Sequence, residues 1–219
     1  MNTNTTEFAS ANYTAGQLNA MVKLLMKQAG EDGPNRFLRG EVTVSEPTRK
    51  WREQDGVIYL SVTSDGTTGP QWIDWFGSNS FCLSGDAKSV LRSPDFKPTT
   101  GVTTEIAILK GMLFEDSNRI TKKIRAEADK RRLTTPNAER ACLIRKNFSD
   151  EDIKAMGLIW IVTMHEPIED SGGGPSLLGV FRSGDGRQLD AYYDGPDSGW
   201  DRGGGFGFVV SQVSVLGTE

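Results

Sequence analysis

Residues 117–157 carry three helix signals in succession, and strand-like sequence flanks them on both sides. That order excludes a regular βαβ array, in which single helices alternate with single strands. Arg119 to Arg132 reads as one helix, with Ile120, Ile124 and Ala128 at four-residue steps on its inner face. Thr135-Pro136 reads as the start of a second, with threonine as cap and proline in the first turn, where its missing N–H costs nothing. That helix is expected to run to about Asn147. Ser149 and Asp152 form an acidic variant of the capping signal for a third helix, which Gly157 ends.

Before this block, "GVIYLSVTSDGTTG" alternates strongly. Ile58, Leu60 and Val62 share one face of a strand, and Val57, Tyr59, Ser61 and Thr63 the other. Strand character resumes around Glu105–Leu109. Two short helices are expected between them, one on Trp72, Ile73 and Phe76 and one capped by Ser84. Near the start, Thr14 and Gln17 have capping-box spacing. They introduce a stripe of Leu18, Met21, Val22, Leu25 and Ala29 that predicts a helix packed on a core, with Gly30 as its stop. A shorter alternation marks Val42–Val44.

After the block, strands are expected at Leu158–Met164, Leu177–Arg182, Gln188–Tyr193 and Phe206–Val213. "SGDGR" joins the second and third of these as a hairpin turn. "DGPDSGWDRGGGFG" reads as a long flexible connection. Its glycines Gly203 to Gly205 either give it freedom or let the backbone approach something closely. The expected fold is α+β: a mixed or mostly antiparallel sheet, with a three-helix block inserted before the C-terminal strands. Residues 1–13 form a polar, flexible tail, and 14–219 a single domain; a division near Gly111 is the weaker alternative.

A chain of 219 residues buries roughly 70% of its unfolded surface, so no staple is needed for folding. Its two cysteines, Cys82 and Cys142, read as buried small hydrophobes in a reducing compartment, although one disulfide stays open. With no CxxC and a single histidine, a thiolate or histidine-rich zinc site is excluded, and no cofactor or metal is expected. The start lacks a secretory signal, and no run of about 18 apolar residues exists to span a membrane. The expectation is a cytoplasmic protein.

The lone histidine, His165, stands in "LIWIVTMHEPIEDSGGGP" beside Glu166. A histidine ordinarily titrates near neutrality, so a site built from His165, Glu166 and a loop acid such as Asp190 would suit a small hydrolase. Against this, adjacent strand residues point to opposite faces, and no G-x-S-x-G elbow supplies a nucleophile. A structural histidine at a strand exit explains the same residues. The glycine-rich stretches match no phosphate loop, and the C-terminal acids match no calcium loop. Trp51, Trp72, Trp75, Trp160 and Trp200, with Tyr192 and Tyr193, offer core material or a surface that stacks sugars or bases.

Charge gives the more physical candidate. The net charge is −4. Between Arg119 and Lys146, ten basic residues face three acids, a local excess of seven positive charges in an otherwise acidic chain. Arg119, Lys122, Lys123 and Lys130 are expected to share a face opposite Ile120, Ile124 and Ala128. Such a face binds an anionic partner, nucleic acid or acidic protein. Alternatively it is a solvated surface that pairs with the chain's own acids.

The blocks "SVTSDGTTG", "SPDFKPTTGVTTE", "LTTPNAERACLIRKNFSDEDIKAMGL" and "IVTMHEPI" resemble a group of uncharacterised bacterial proteins. The resemblance covers most of the chain past the tail. It implies a self-contained bacterial domain and carries no activity, cofactor or site residue. The leading expectation is therefore an interaction module using the basic face. A hydrolase around His165 and a structural or assembly subunit are the alternatives.

Overall fold

A computed structural model describes residues 14–43, 49–183 and 186–211. The expected tail, Val44, the centre of the 183–187 turn and the far end of the last strand lie outside the described residues. The chain divides into two compact units between Arg49 and Lys50.

The first unit holds helices α1 (Ala15–Ala29) and α2 (Gly33–Leu38). The Thr14–Gln17 capping box forms, with the Thr14 N–H donating to Gln17 Oε1 at 2.8 Å. Leu25 is buried where α2 begins, and Gly33 sits so close that a Cβ would lie 2.4 Å from the Leu25 carbonyl. The rest of the expected stripe differs: Leu18, Met21 and Val22 are exposed within this unit. The reason is length, since α2 has six residues and reaches only about 9 Å.

The second unit is built on a ten-stranded mixed sheet. A first set comprises β1 (Trp51–Gln54), β2 (Val57–Asp65) and β4 (Thr100–Lys110), paired antiparallel. A second comprises β6 (Trp160–Thr163), β8 (Pro175–Ser183) and β9 (Gly186–Tyr193), also antiparallel, with the short β3 (Cys82–Leu83) parallel to β9 at the edge. The last strand, β10 (Gly204–Val210), lies between the two sets, antiparallel to β4 and parallel to β6. Two-residue strands β5 (Leu133–Thr134) and β7 (Ile168–Glu169) pair with β10 and β8.

Both sheet faces are covered, which explains the apolar strands. Ile58, Leu60, Ile106, Ile108, Ile161, Leu178 and Val180 point to one face. There they meet α3 (Gly69–Ser78), α4 (Gly85–Arg92), α6 (Glu139–Asn147) and α7 (Asp150–Ala155). Val57, Ala107, Leu109, Val162, Leu177, Phe206 and Phe208 point to the other, packed with Ile124 and Ala128 of α5 (Thr121–Lys130). The expected caps are present: Ser84 accepts from the Ala87 N–H, and Ser149 and Asp152 cap α7. Among the described residues no helix is long and apolar enough to cross a membrane.

Three local expectations need correction. The helix expected from Thr135-Pro136 begins at Glu139, because Leu133 and Thr134 are paired with β10 and Asn137 Oδ1 accepts the Glu139 N–H. Cys82 is exposed at the sheet edge, while Cys142 is buried; both thiols are free. Burial, reinforced by the Glu139 carboxylate, pushes the Cys142 thiol well up, so it stays protonated. Finally, the strand expected from Phe206 starts at Gly204, so Gly204 and Gly205 belong to a central strand and not to a flexible connection. A Cβ on Gly204 would lie 2.0 Å from the Trp160 ring, and one on Gly205 2.5 Å from Ile108. Of the two readings of these glycines, close approach is the one that describes Gly204 and Gly205.

These distances set an unequal tolerance. Gly204→Ala forces the Trp160 ring or the strand to move and is expected to cost about 1–3 kcal/mol or more. Gly207→Ala, whose added carbon meets nothing nearer than 3.6 Å, is expected to cost about 1 kcal/mol or less. Urea unfolding of the two variants measures the difference; equal losses would contradict the packing described.

Candidate functional site

His165 follows the exit of β6 and is buried. Its Nδ1 is 2.5 Å from the Glu166 carbonyl oxygen, and its Nε2 is 2.8 Å from the Leu178 amide nitrogen. A carbonyl only accepts and an amide N–H only donates, so the tautomer follows: Nδ1 donates and Nε2 accepts. Both ring nitrogens are used. Thr163 Oγ1 donates to the Leu178 carbonyl at 2.8 Å. The backbone pairing of β6 with β8 ends at Val162–Gly179, and these two side chains serve both polar groups of the next residue of β8. His165 thus acts as a substitute for strand backbone.

Burial, with the nearby Arg125 guanidinium, pulls His165 down to about 4, against the hydrogen bond to Glu166. Glu166 is exposed and shares with His165 the wall of a cavity of about 340 Å³. Asp190 accepts from the Ala191 N–H and is not on that wall. The three candidates for acid–base chemistry are not assembled. Among the described residues, no three His, Cys, Asp or Glu side chains are placed to hold a metal ion.

The basic block is mostly spent internally. Arg119 is buried, because it precedes α5 rather than lying on it. Its guanidinium donates to the carbonyls of Gly111 and Phe114 at 2.9 Å and to Asp116 at 2.8 Å. It therefore leaves the expected anion-binding face. Arg140 and Arg145 are buried in α6, paired with Glu139 and Asp150. Lys122 pairs with Asp197, Arg125 with Asp194, Lys130 and Arg131 with Glu127, and Lys146 with Asp65. Among the described residues, eight of the ten basic residues thus form ion pairs. Lys123 donates to Asn118 Oδ1. Lys122, Lys123 and Lys130 are exposed, as expected.

The strongest convergence is aromatic. Ile120, which precedes α5, has no capping side chain. The loop after β9 supplies carbonyls instead: Thr121 N–H donates to Ser198 and Lys122 N–H to Pro196, at 3.1 and 2.9 Å. That path carries Trp200 back onto the sheet. Its amide donates to the Arg119 carbonyl at 3.0 Å, and its indole N–H to Thr121 Oγ1 at 3.0 Å. Its ring centroid lies 5.5 Å from Trp160, 6.0 Å from Tyr192 and 5.7 Å from Phe206. Trp160, Tyr192 and Trp200, with Tyr193, Ser198 and Asp201, line a cavity of about 330 Å³. Tyr193 is 62% exposed beside it. Burial, then the Asp190 carboxylate, push the Tyr192 hydroxyl well up, so it remains a neutral donor. Trp72 and Trp75 stack instead with Phe76 and Phe81 in the opposite core.

The locked histidine has a thermodynamic consequence. An unfolded chain takes up a proton on His165 near pH 6.5, whereas the folded chain resists protonation until about pH 4. Stability is therefore present above pH 6.5 and lost as pH falls through that window. Between pH 7 and 4.5 the wild type is expected to lose roughly 2–3 kcal/mol more than His165→Gln. Urea unfolding at both pH values checks it; parallel losses would mean that His165 is not held neutral by the fold.

Compared with protein-family models, curated proteins and solved structures, the chain matches none.

Proposed function

We propose that the second unit binds a small ligand with a flat, hydroxyl-bearing face, a saccharide or a nucleoside, in the cavity lined by Trp160, Tyr192 and Trp200. One observation carries this reading: Trp200, held by backbone and side-chain hydrogen bonds, lines an aromatic cavity with Trp160 and Tyr192. A pinned indole loses little freedom on binding, so its stacking energy goes to affinity. The cavity volume suits a small molecule. Ser198, Asp201 and the Tyr193 hydroxyl offer polar partners that would orient ring hydroxyls. A catalytic role for His165 has less support, since neither of its nitrogens is available.

Titration with a panel of nucleosides and oligosaccharides, followed by tryptophan fluorescence, tests the proposal. At least one class is expected to give a saturable change. Tyr193→Ala, at an exposed position, should leave stability within about 0.5 kcal/mol. It should weaken binding roughly 5- to 100-fold, the range of one lost stacking partner. No saturable change with any compound, or unaltered affinity in the variant, would contradict it.

A second reading keeps an anionic partner, nucleic acid or acidic protein, on the outer face of α5. The exposure of Lys122, Lys123 and Lys130 favours it, and exposed ion pairs of roughly 0–1 kcal/mol compete only weakly with a polyanion. Glu115 and Glu127 beside them work against it. It predicts salt-sensitive retention on heparin that is lost when all three lysines become glutamate. Flow-through at low salt would dispose of it.

A further inference from the structure

We propose that the aromatic cavity takes a neutral pyranose sugar and discriminates against nucleosides and anionic sugars. This inference rests on the reading of that cavity as a small-ligand site and narrows it to one chemical class. The wall carries it in three ways: the inclination of its rings, the spare capacity of its polar groups, and a charge that comes from a carboxylate and from no cation.

The rings do not form one plane. Trp160 is buried, so Tyr192, Tyr193 and Trp200 offer the accessible ring surface. Tyr192 and Trp200 are inclined to each other at 49°, and Trp160 is inclined to them at 30° and 44°. A nucleobase is flat, so it stacks in parallel on only one of two rings at such angles. A pyranose chair carries C–H groups on its faces and around its rim. Their weakly positive hydrogens meet the negative face of each ring at that ring's own angle.

The polar side chains of the wall are hydroxyls and one carboxylate. The Ser198 hydroxyl, the Tyr193 hydroxyl and the Asp201 carboxylate bond to no other described residue. The other acids of the loop are spent, Asp194 on Arg125 and Asp197 on Lys122. A carboxylate accepts at both oxygens, so two adjacent sugar hydroxyls donate to it together. A nucleobase is read on its edge by paired donors and acceptors, above all the amide of Asn or Gln, and the wall holds no such side chain. A nucleoside that gives its ribose hydroxyls to Asp201 leaves that edge without a side-chain amide. No lysine or arginine lines the cavity. Arg119 and Lys122, which hold the loop, are directed to carbonyls, Asp116 and Asp197. The charge of Asp201 therefore repels a uronate or a phosphate.

The methyl glycosides of glucose, galactose, mannose and N-acetylglucosamine are the neutral probes, compared with D-glucuronate, adenosine and uridine. Amide and indole N–H chemical shifts are followed on the full chain at pH 7 and constant ionic strength. At least one glycoside is expected to saturate, with shifts at residues 192–201 and at the Trp200 indole. It should bind about tenfold or more tighter than glucuronate or either nucleoside, the scale of hydrogen bonds to a charged group. Asp201→Asn, at an exposed position, should keep the unfolding midpoint and weaken the glycoside by a similar factor. It should also narrow the margin over glucuronate, because the repelling charge is gone. Saturation by a nucleoside and by no glycoside would overturn this inference and leave the wider reading standing. So would glucuronate binding as tightly as the glycosides, or unchanged glycoside affinity in Asp201→Asn. Saturation by no probe would overturn both.

Discussion

The second unit depends on the insertion of its last strand between two sets of strands that precede it. β10 is hydrogen-bonded to β4 on one side and β6 on the other. The central position demands a strand that is thin at one end and bulky at the other. Gly204 and Gly205 let Trp160, Ile108 and Leu158 close over the backbone. Phe206 and Phe208 then fill the face under α5. A strand of ordinary β-branched residues would keep the hydrogen bonds and lose the closure, because dense interiors tolerate little extra volume.

That closure places the candidate sites. Trp160 and Phe206, brought together by β10 and β6, form the floor on which Trp200 rests. The 194–201 loop reaches this floor by giving its carbonyls to the uncapped start of α5. Arg119 and Arg125 fasten the two ends of the seam. The same loop begins at Asp194, which accepts from Arg125 of α5 at 2.9 Å. Charges that read as a binding face in one dimension serve here as fasteners, since buried backbone carbonyls need donors and arginine supplies several from one side chain.

Much of the fold was legible. Capping signals at Thr14, Ser84 and Ser149 act locally and survive any tertiary context. The alternation of β2 and the apolar run of β6 are also local. What escaped depends on partners far away in sequence. β5 has two residues, and two residues have no periodicity. β1 was missed although Asp55 and Gly56, both with positive φ, make the Asp-Gly hairpin turn that joins it to β2. α6 shows no stripe because it is buried all round from Glu139 to Arg145. The aromatic residues of the candidate site were visible as residues, but their convergence comes from the sheet order.

Amide hydrogen exchange tests the central claim most directly, because it reads the strand that joins the two sets without any ligand or variant. If β10 is the closing element, the amides of Gly205 to Phe208 exchange only through global unfolding, as slowly as those of β4. Exchange of these amides at loop-like rates, while β2 and β4 remain protected, would contradict the account.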